Sequence, residues 1–283
     1  MPVKKKTKII WSVVAGAFIA LIIWTIWGNT ALEMNTYTVQ NEKLPNAFSG
    51  YRIAHISDLH NAQMGENNEK LLQMLRNAQP DMIAITGDLI DSYHTDIDVS
   101  LEFAAKAVEI APCYYVPGNH EGRIAQYDHL KEGLKALGVV VLENQCVTVE
   151  KGSDMIHLLG VIDPSFQTDY LLGDEKTAME AHLQNFEYEG FAILLSHRPE
   201  MMDIYARKGV DLVLSGHAHG GQFRLPFVGG LVAPDQGFFP EYDGGLYRQD
   251  DTTMIVSRGI GNSIFPFRFN NRPEVILIEL ISG

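Results

Sequence analysis

Two histidines stand one residue apart between glycines in LVLSGHAHGGQF, directly after an apolar run. They are His217 and His219. An imidazole can hold a metal ion or carry a proton, and both uses need other polar groups nearby. The sequence supplies them in the same setting. Asp58 and His60 follow the apolar run of YRIAHISDLH, Asp88 follows DMIAITGD, Asn119 and His120 follow CYYVPGNHE, and His197 follows FAILLSH. Five of the ten histidines therefore close apolar runs, a placement that unrelated core histidines would not share.

Carboxylate, imidazole and amide oxygen form a mixed oxygen and nitrogen donor set. It suits Mn²⁺, Zn²⁺ or Fe better than Ca²⁺ or a thiolate-loving metal. Asp58, His60, Asp88, Asn119, His197, His217 and His219 are more ligands than one tetrahedral ion can use. With one carboxylate shared, they would serve two ions about 3.5 to 4 Å apart, as in two-metal hydrolases. The i, i+2 spacing of Asp58 with His60, and of His217 with His219, would turn both members of a pair to one side of an extended segment. Gly87, Gly118, Gly216, Gly220 and Gly221 would let the backbone turn sharply beside a charged centre. Taken singly these motifs are weak: Asp-x-His is commonplace, GNHE could be a helix cap, and His197 could be a satisfied core histidine. Their ordered recurrence carries the signal.

Residues so far apart in sequence must be gathered by a fold that brings strand ends together. Short apolar runs alternate with amphipathic stretches: YRIAHIS with NNEKLLQMLRNAQ, DMIAIT with VSLEFAAKAVE, CYYVP with YDHLKEGLKALG. These are β-α units of a layered α/β domain. The second half reads as richer in strands, through GVVVLEN, MIHLLGV, FAILLSH, VDLVLSGH, TMIVSRG and EVILIEL. TYTVQ alternates as an edge strand would. In such sheets ligands collect beyond the carboxyl ends of the strands, where every candidate ligand falls.

The ordered set resembles the calcineurin-like metallophosphoesterases, whose pattern runs Asp-x-His, Gly-Asp-x-x-Asp, Gly-Asn-His-Glu, His, Gly-His-x-His. Here it is met by Asp58-Leu59-His60, Gly87-Asp88-Leu89-Ile90-Asp91, Gly118-Asn119-His120-Glu121, His197 and Gly216-His217-Ala218-His219. The resemblance runs from about Tyr51 onward. It implies a four-layered α/β/β/α sandwich, a first ion on Asp58, His60 and His219, and a second on Asn119, His197 and His217. It also implies that Asp88 bridges the two ions and that His120 stands beside the leaving oxygen. The segments GHAHGGQFRLPFVGGLVAPDQGFFPEYDGGLY and SRGIGNSIFPFR resemble a membrane-anchored, extracytoplasmic branch. That branch contains bacterial phosphodiesterases similar to a UDP-2,3-diacylglucosamine pyrophosphatase.

The first residues bear on location. No charged residue occurs from Ile9 to Trp27, and 19 residues make about 28 Å of helix, enough to span a bilayer. Lys4, Lys5, Lys6 and Lys8 predict a cytoplasmic N-terminus, and Trp11, Trp24 and Trp27 fit the membrane interface. A cleaved signal peptide is the rival reading, although its apolar region normally runs only about 7 to 15 residues. The expected organisation is a basic tail over 1–8, a single-pass anchor over 9–27, a linker with a first edge strand over 28–49, and one catalytic domain over 50–283, outside the cytoplasm. The net charge is −13, and without the four leading lysines the chain carries 35 acidic against 18 basic residues. An acidic body excludes a nucleic-acid clamp. Cys113 and Cys146 are too few for a disulfide scaffold or a thiolate metal site; they either pair or remain buried thiols.

Two cations would neutralise phosphoryl oxygens and acidify a water near Asp88, so no serine or cysteine nucleophile is needed. His120 would serve as general acid or as support for a ligand, with Asp91 orienting a ring. Arg198 and Arg258 are candidates for substrate charge. The aromatics of FRLPFVGG, GFFPEY and IFPFRF either pack on the core or meet the membrane. The expected function is hydrolysis of a phosphodiester or pyrophosphate in envelope or lipid-linked substrates. A phosphomonoesterase, including a protein phosphatase, and a metal-binding scaffold without catalysis are the alternatives.

Overall fold

The computed structural model describes residues 2–166, 174–262 and 264–283. Helix α1 (Pro2–Thr30) precedes strand β1 (Glu33–Asn41). Three β-α units follow: β2 (Tyr51–Ile56) with α2 (Glu69–Ala78), β3 (Met82–Thr86) with α3 (Ile97–Ala107), and β4 (Cys113–Val116) with α4 (Tyr127–Ala136). The chain continues through β5 (Val140–Val141), β6 (Gln145–Lys151), β7 (Asp154–Gly160), α5 (Glu175–Gln184), β8 (Ala192–Leu195), α6 (Met202–Lys208) and β9 (Leu212–Ser215). Two small hairpins come next, β10 (Arg224–Leu225) with β11 (Gly229–Gly230) and β12 (Val232–Ala233) with β13 (Gly237–Phe238). Strands β14 (Gly245–Gln249), β15 (Thr252–Val256) and β16 (Glu274–Ser282) complete the described elements.

Two six-stranded sheets result, ordered β1-β16-β2-β3-β4-β5 and β14-β15-β9-β8-β7-β6. Strand alternation explains why they stack. In β3, Met82 and Ala84 join the core between the sheets, while Ile83 and Ile85 face α2, α3 and α4. In β8, Ile193 and Leu195 face inward, while Ala192 and Leu194 pack toward α5 and α6. Strands buried on both faces read as unbroken apolar runs, as these do. The layers are therefore α/β/β/α, as the family resemblance implies.

Strands β2, β3, β4 and β5 run parallel in one sheet, and β7, β8, β9 and β15 in the other. Their carboxyl ends share one edge of the sandwich. The second half is less purely β than the pattern implies, because α5 and α6 cover the outer face of the second sheet. GVVVLEN contributes only the two-residue β5.

Helix α1 contains a 24-residue apolar stretch, Thr7–Thr30, with none of its most apolar window buried. By length and composition it can cross a membrane. Its end is joined to the domain: Asn29 Nδ2 donates to Arg268 O (2.8 Å), Arg268 N donates to Asn29 Oδ1 (2.7 Å), and the Arg272 guanidinium lies 4.8 Å above the Trp27 ring. The cysteines do not pair. Cys113 is buried, with its thiol pushed up to about 12 by burial, and Cys146 is exposed.

Candidate active site

The candidate ligands sit in the loops just past β2, β3, β4, β8 and β9, and all are nearly inaccessible to solvent. The backbone gets them there in a way that strand alternation does not describe. Asp58, His60, Asp88, His217 and His219 all have positive φ, between 46° and 66°. The i, i+2 pairs are thus not extended; each side chain is aimed by a left-handed kink that costs on the order of 1 kcal/mol or more. Close backbone approach explains the glycines beside them. A Cβ on Gly216 would lie 1.8 Å from Ser57 Oγ, and one on Gly118 would lie 2.3 Å from Asp88 Oδ1.

The ligands fall into two sets that meet at Asp88. In the first, His60 Nε2 and His219 Nε2 are 3.1 Å apart, with Asp58 Oδ1 at 3.8 and 3.5 Å from them. In the second, His197 Nε2 lies 3.1 Å from His217 Nδ1 and 3.1 Å from Asn119 Oδ1. Asp88 Oδ2 is 3.6 Å from His60 Nε2 and 3.2 Å from His197 Nε2, between the two. Asp58 also accepts from the His217 backbone N–H, tying the β2 and β9 loops together.

Hydrogen bonds on the outer ring nitrogens test whether cations fit. His197 Nδ1 donates to Thr86 O (2.7 Å), and His217 Nε2 donates to Asp235 Oδ2 (2.8 Å). In their neutral forms these rings then aim two lone pairs at each other from His197 Nε2 and His217 Nδ1. A cation or a proton between them removes that repulsion. The charge balance agrees. Burial pushes the His197 pKa down, but the Asp88 carboxylate beside it prevails and raises it to about 10, a sign that the site calls for positive charge. Burial likewise opposes ionisation of Asp58 and Asp88. The facing histidines, His219 foremost for Asp58 and His197 for Asp88, hold both carboxyls below the usual range. The Asn119 amide must turn its oxygen toward these rings if a cation sits there, and its nitrogen if not. The residues present fit a pair of divalent ions.

His120 lies outside both sets. Its Nδ1 accepts from the Ser92 backbone N–H (2.9 Å), which places the neutral ring's proton on Nε2, and its ring packs edge-on against His60. Burial lowers its pKa to about 4, against the pull of Asp88. In the neutral tautomer the ring presents an Nε2–H donor. Asp91 stands 3.9 Å from Nδ1, too far for a hydrogen bond, and accepts instead from Tyr93 N (2.7 Å) and His94 N (3.3 Å).

A cavity of about 290 Å³ opens over this centre, lined by polar residues such as Asp88, His120, Arg123 and His219 and by apolar ones such as Val232 and Phe265. A wider groove of about 610 Å³ lies between α2 and the outer strands of the first sheet and contains none of the ligands. The two expected arginines do not reach the cavity. Arg198 is buried in pairs with Asp163 (2.6 Å) and Asp235, and Arg258 pairs with Glu274 (2.7 Å) and Glu33. Arg123 is the arginine that lines it.

Several supporting residues escaped the sequence reading. The buried Glu121 carboxylate accepts four backbone N–H groups: Asp88 (2.9 Å), Leu89 (2.8 Å), Ile90 (3.3 Å) and Gly118 (2.8 Å). Its place inside GNHE was the available signal. Burial and the Asp88 charge push its pKa up to about 7, while the N–H donors act the other way. Asp235 is held by His217 and Arg198, which keep its carboxyl well below the usual range. It lies in a Pro-Asp-Gln turn whose spacing announces nothing.

The sequence profile of the calcineurin-like phosphoesterases matches residues 51–221, a stretch that holds every ligand described above. The chain belongs to that family. A metallophosphoesterase of Bacillus subtilis, the uncharacterized YkuE, is 30% identical over 259 residues, covering 89% of this chain and 86% of its own. Phosphodiesterase YaeI of Escherichia coli is 30% identical over 248 residues, covering 82% of each chain. A zebrafish (Danio rerio) protein named for a transmembrane segment and a metallophosphoesterase domain is 32% identical over 84% of this chain, which spans about half (55%) of its length. Among solved structures, TT1561 of Thermus thermophilus shares the fold with a TM-score of 0.51 at 14% identity, over 75% of this chain and 91% of that one. This calcineurin-like phosphoesterase is a metal-dependent phosphoester hydrolase, and its clustered histidines and aspartates fit a dinuclear site.

Proposed function

We propose that this phosphoesterase hydrolyses phosphodiester or pyrophosphate bonds of envelope or lipid-linked substrates at the outer face of a membrane, with its domain over residues 50–283 held there by the helix over 9–27. The observation that carries the reading is Asp88 Oδ2 standing between two histidine-containing ligand sets at a cavity with a mixed polar and apolar lining. Asp58, His60 and His219 would hold one ion, Asn119, His197 and His217 the other, with Asp88 shared. Mn²⁺, Zn²⁺ or Fe suits the donors. Bound there, two divalent ions supply charge neutralisation for the phosphoryl oxygens and acidify a water.

The chain's own residues do the rest. Asp88 is fixed by the Glu121 clamp on its backbone N–H and by its Oδ1 accepting from the His120 backbone N–H (2.8 Å). The tautomer of His120 gives the cavity an Nε2–H that can donate to the oxygen that leaves. The exposed Arg123 guanidinium on the cavity lining would balance phosphate charge. Val232 and Phe265 in the lining favour a substrate with an apolar portion. The four lysines before the helix support a cytoplasmic N-terminus. Resemblance to the anchored phosphodiesterase branch, and the name of the Escherichia coli relative, support a diester over a monoester.

The test crosses a panel of Mn²⁺, Zn²⁺, Fe²⁺ and Mg²⁺ with diester, monoester and lipid-pyrophosphate substrates. Diester turnover at least tenfold above monoester is expected. A dominant monoesterase would overturn the substrate reading, and no turnover with any metal would leave a binding scaffold. Protease access to the domain from outside the cytoplasm checks the topology. Recovery of a mature chain starting beyond Trp27 would show a cleaved signal.

A further inference from the structure

Val232 and Ala233 of β12 line the cavity and pair with Phe238 and Gly237 of β13, and this hairpin and the one before it carry exposed aromatic residues. Phe227 at the tip of the β10–β11 hairpin is fully exposed, Phe238 in the β12–β13 hairpin is 81% exposed, and Phe239 beside it is 66% exposed. Phe227 and Phe239 also have positive φ, 68° and 56°. A bulky residue at positive φ is a backbone outlier that glycine would relieve. Side chains that gain no burial are therefore held at a conformational cost, which solvent exposure alone does not explain.

The surroundings indicate what they meet. Between Leu225 and Phe239 the only charged residue is Asp235, whose carboxylate is turned to His217 and Arg198. From Gly259 to Phe267 there is none. An apolar, charge-free zone on so acidic a body is the kind of patch that marks an interaction site. It is continuous with the end of the apolar helix. Asn29 bonds to Arg268 and Asn262, the Gln222 side chain donates to Phe265 O (3.2 Å) and Phe267 O (2.7 Å), and the Phe223 ring packs edge-on against Phe265 and Phe267. Phe223 leads directly into β10. A short chain of contacts thus links the helix end, where Trp24 and Trp27 stand, to the hairpins. Aromatic side chains are favoured at the lipid headgroup level.

We infer that the β10–β11 and β12–β13 hairpins dip into the lipid interface beside the helix, holding the mouth of the cavity at the bilayer surface. The partner is the lipid bilayer itself. Resting on the proposed phosphodiesterase reading, this geometry makes a diester lipid, with its chains still in the leaflet, the substrate class the cavity receives.

The test uses the full chain in phosphatidylcholine nanodiscs. An environment-sensitive nitrobenzoxadiazole label is placed at Phe227→Cys in a Cys146→Ser background, with Met155→Cys, in the distant β6–β7 hairpin, as control. A blue-shifted emission at position 227, quenched at least twofold by doxyl-phosphatidylcholine, is expected, with neither effect at 155. A label at 227 that is as wet as the control overturns the inference. So does one that is shielded but unquenched, which would point to a second copy of the chain. In the same discs, the Phe227→Ser/Phe238→Ser variant should lose at least tenfold in kcat/KM on phosphatidyl-p-nitrophenol and keep its rate on bis(p-nitrophenyl) phosphate. Equal rates on the lipid for both proteins would refute the role in substrate capture. If neither ester is cleaved by the unaltered chain, the phosphodiesterase reading fails while the label still decides the membrane contact.

Discussion

Glu121 offers a perturbation whose magnitude can be worked from its bonds. Its two oxygens accept from four buried backbone N–H groups in two loops, with Oε2 serving Asp88 and Gly118 and Oε1 serving Leu89 and Ile90. Glu121→Gln keeps the shape but replaces one oxygen with a donor, so one pair of N–H groups faces an NH₂. Each buried donor left unpaired costs about 1 to 3 kcal/mol, so the loss should be about 2 to 6 kcal/mol. For a domain of this size, about 2 to 4 °C in Tm accompanies each kcal/mol, which places the fall at roughly 4 to 24 °C. The measurement is calorimetry of the detergent-solubilised chain at pH 8, above the raised pKa of the carboxyl, with metal content assayed in parallel. Because the same clamp sets Asp88, bound metal should also decrease. A variant that melts within about 2 °C of the unaltered protein and keeps its full metal complement would refute the clamp.

His217→Ala and His219→Ala should each leave a different partial metal content, read by elemental analysis, whereas a purely structural pair would give misfolding and no split. Asp88→Asn should nearly abolish turnover and lower metal content, since it removes the one anion shared by both sets. Asp235→Asn should weaken metal at the position of His217 by about 10- to 100-fold, the usual cost of losing a carboxylate that supports a ligating histidine; unchanged affinity in a metal titration would count against it. His120→Ala should keep both ions and slow an alkyl diester by about 10²- to 10⁴-fold. The defect should be much smaller with a nitrophenyl diester, whose leaving oxygen needs little help, and equal defects would assign the ring to phosphate positioning. His55 is buried with its pKa lowered to about 4 by burial, so the unfolded chain takes a proton near pH 6.5 that the folded chain refuses until about 4. Its contribution is complete above pH 6.5 and lost as pH falls, by about 2 kcal/mol at pH 5. The stability gap to His55→Gln, measured by denaturant titration, should change by that amount between pH 7 and 5.

The parts of this molecule that were legible in its sequence are those with periodic or ordered signals. Apolar runs buried on both faces marked the inner strands, and the amphipathic segments after β2, β3 and β4 marked α2, α3 and α4. The ligand types at those strand ends marked the site. Sequence spacing could not convey how the ligands are aimed, because the left-handed turns at Asp58, His60 and His217 break the alternation on which the argument for paired side chains rested. Nor could it reveal carboxylates that act through partners remote in the chain. Asp235 reaches His217 only because a hairpin folds back over β9, and Arg198 is withdrawn from the cavity by Asp163. Charge type was readable at both positions, but pairing is a tertiary fact. The strands of the second half were visible and α5 was not, since its apolar face is weak beside the β-runs around it.

The ladder next to the helix sets a timetable. Strand β1 sits at the edge of its sheet, and among the described residues its sheet neighbour is β16, paired in parallel from Glu33 with Glu274 to Asn41 with Ser282. About 230 residues lie between the two strands. At a synthesis rate of roughly 5 to 20 residues per second, β1 emerges some 12 to 46 seconds before its partner exists. During that interval the segment that joins helix to domain is a slack tether. Pairing with β16, together with the Asn29–Arg268 and Trp27–Arg272 contacts just before it, fixes how the domain sits on the helix end. Fixing the domain against its N-terminal helix thus awaits the last strand to be synthesised.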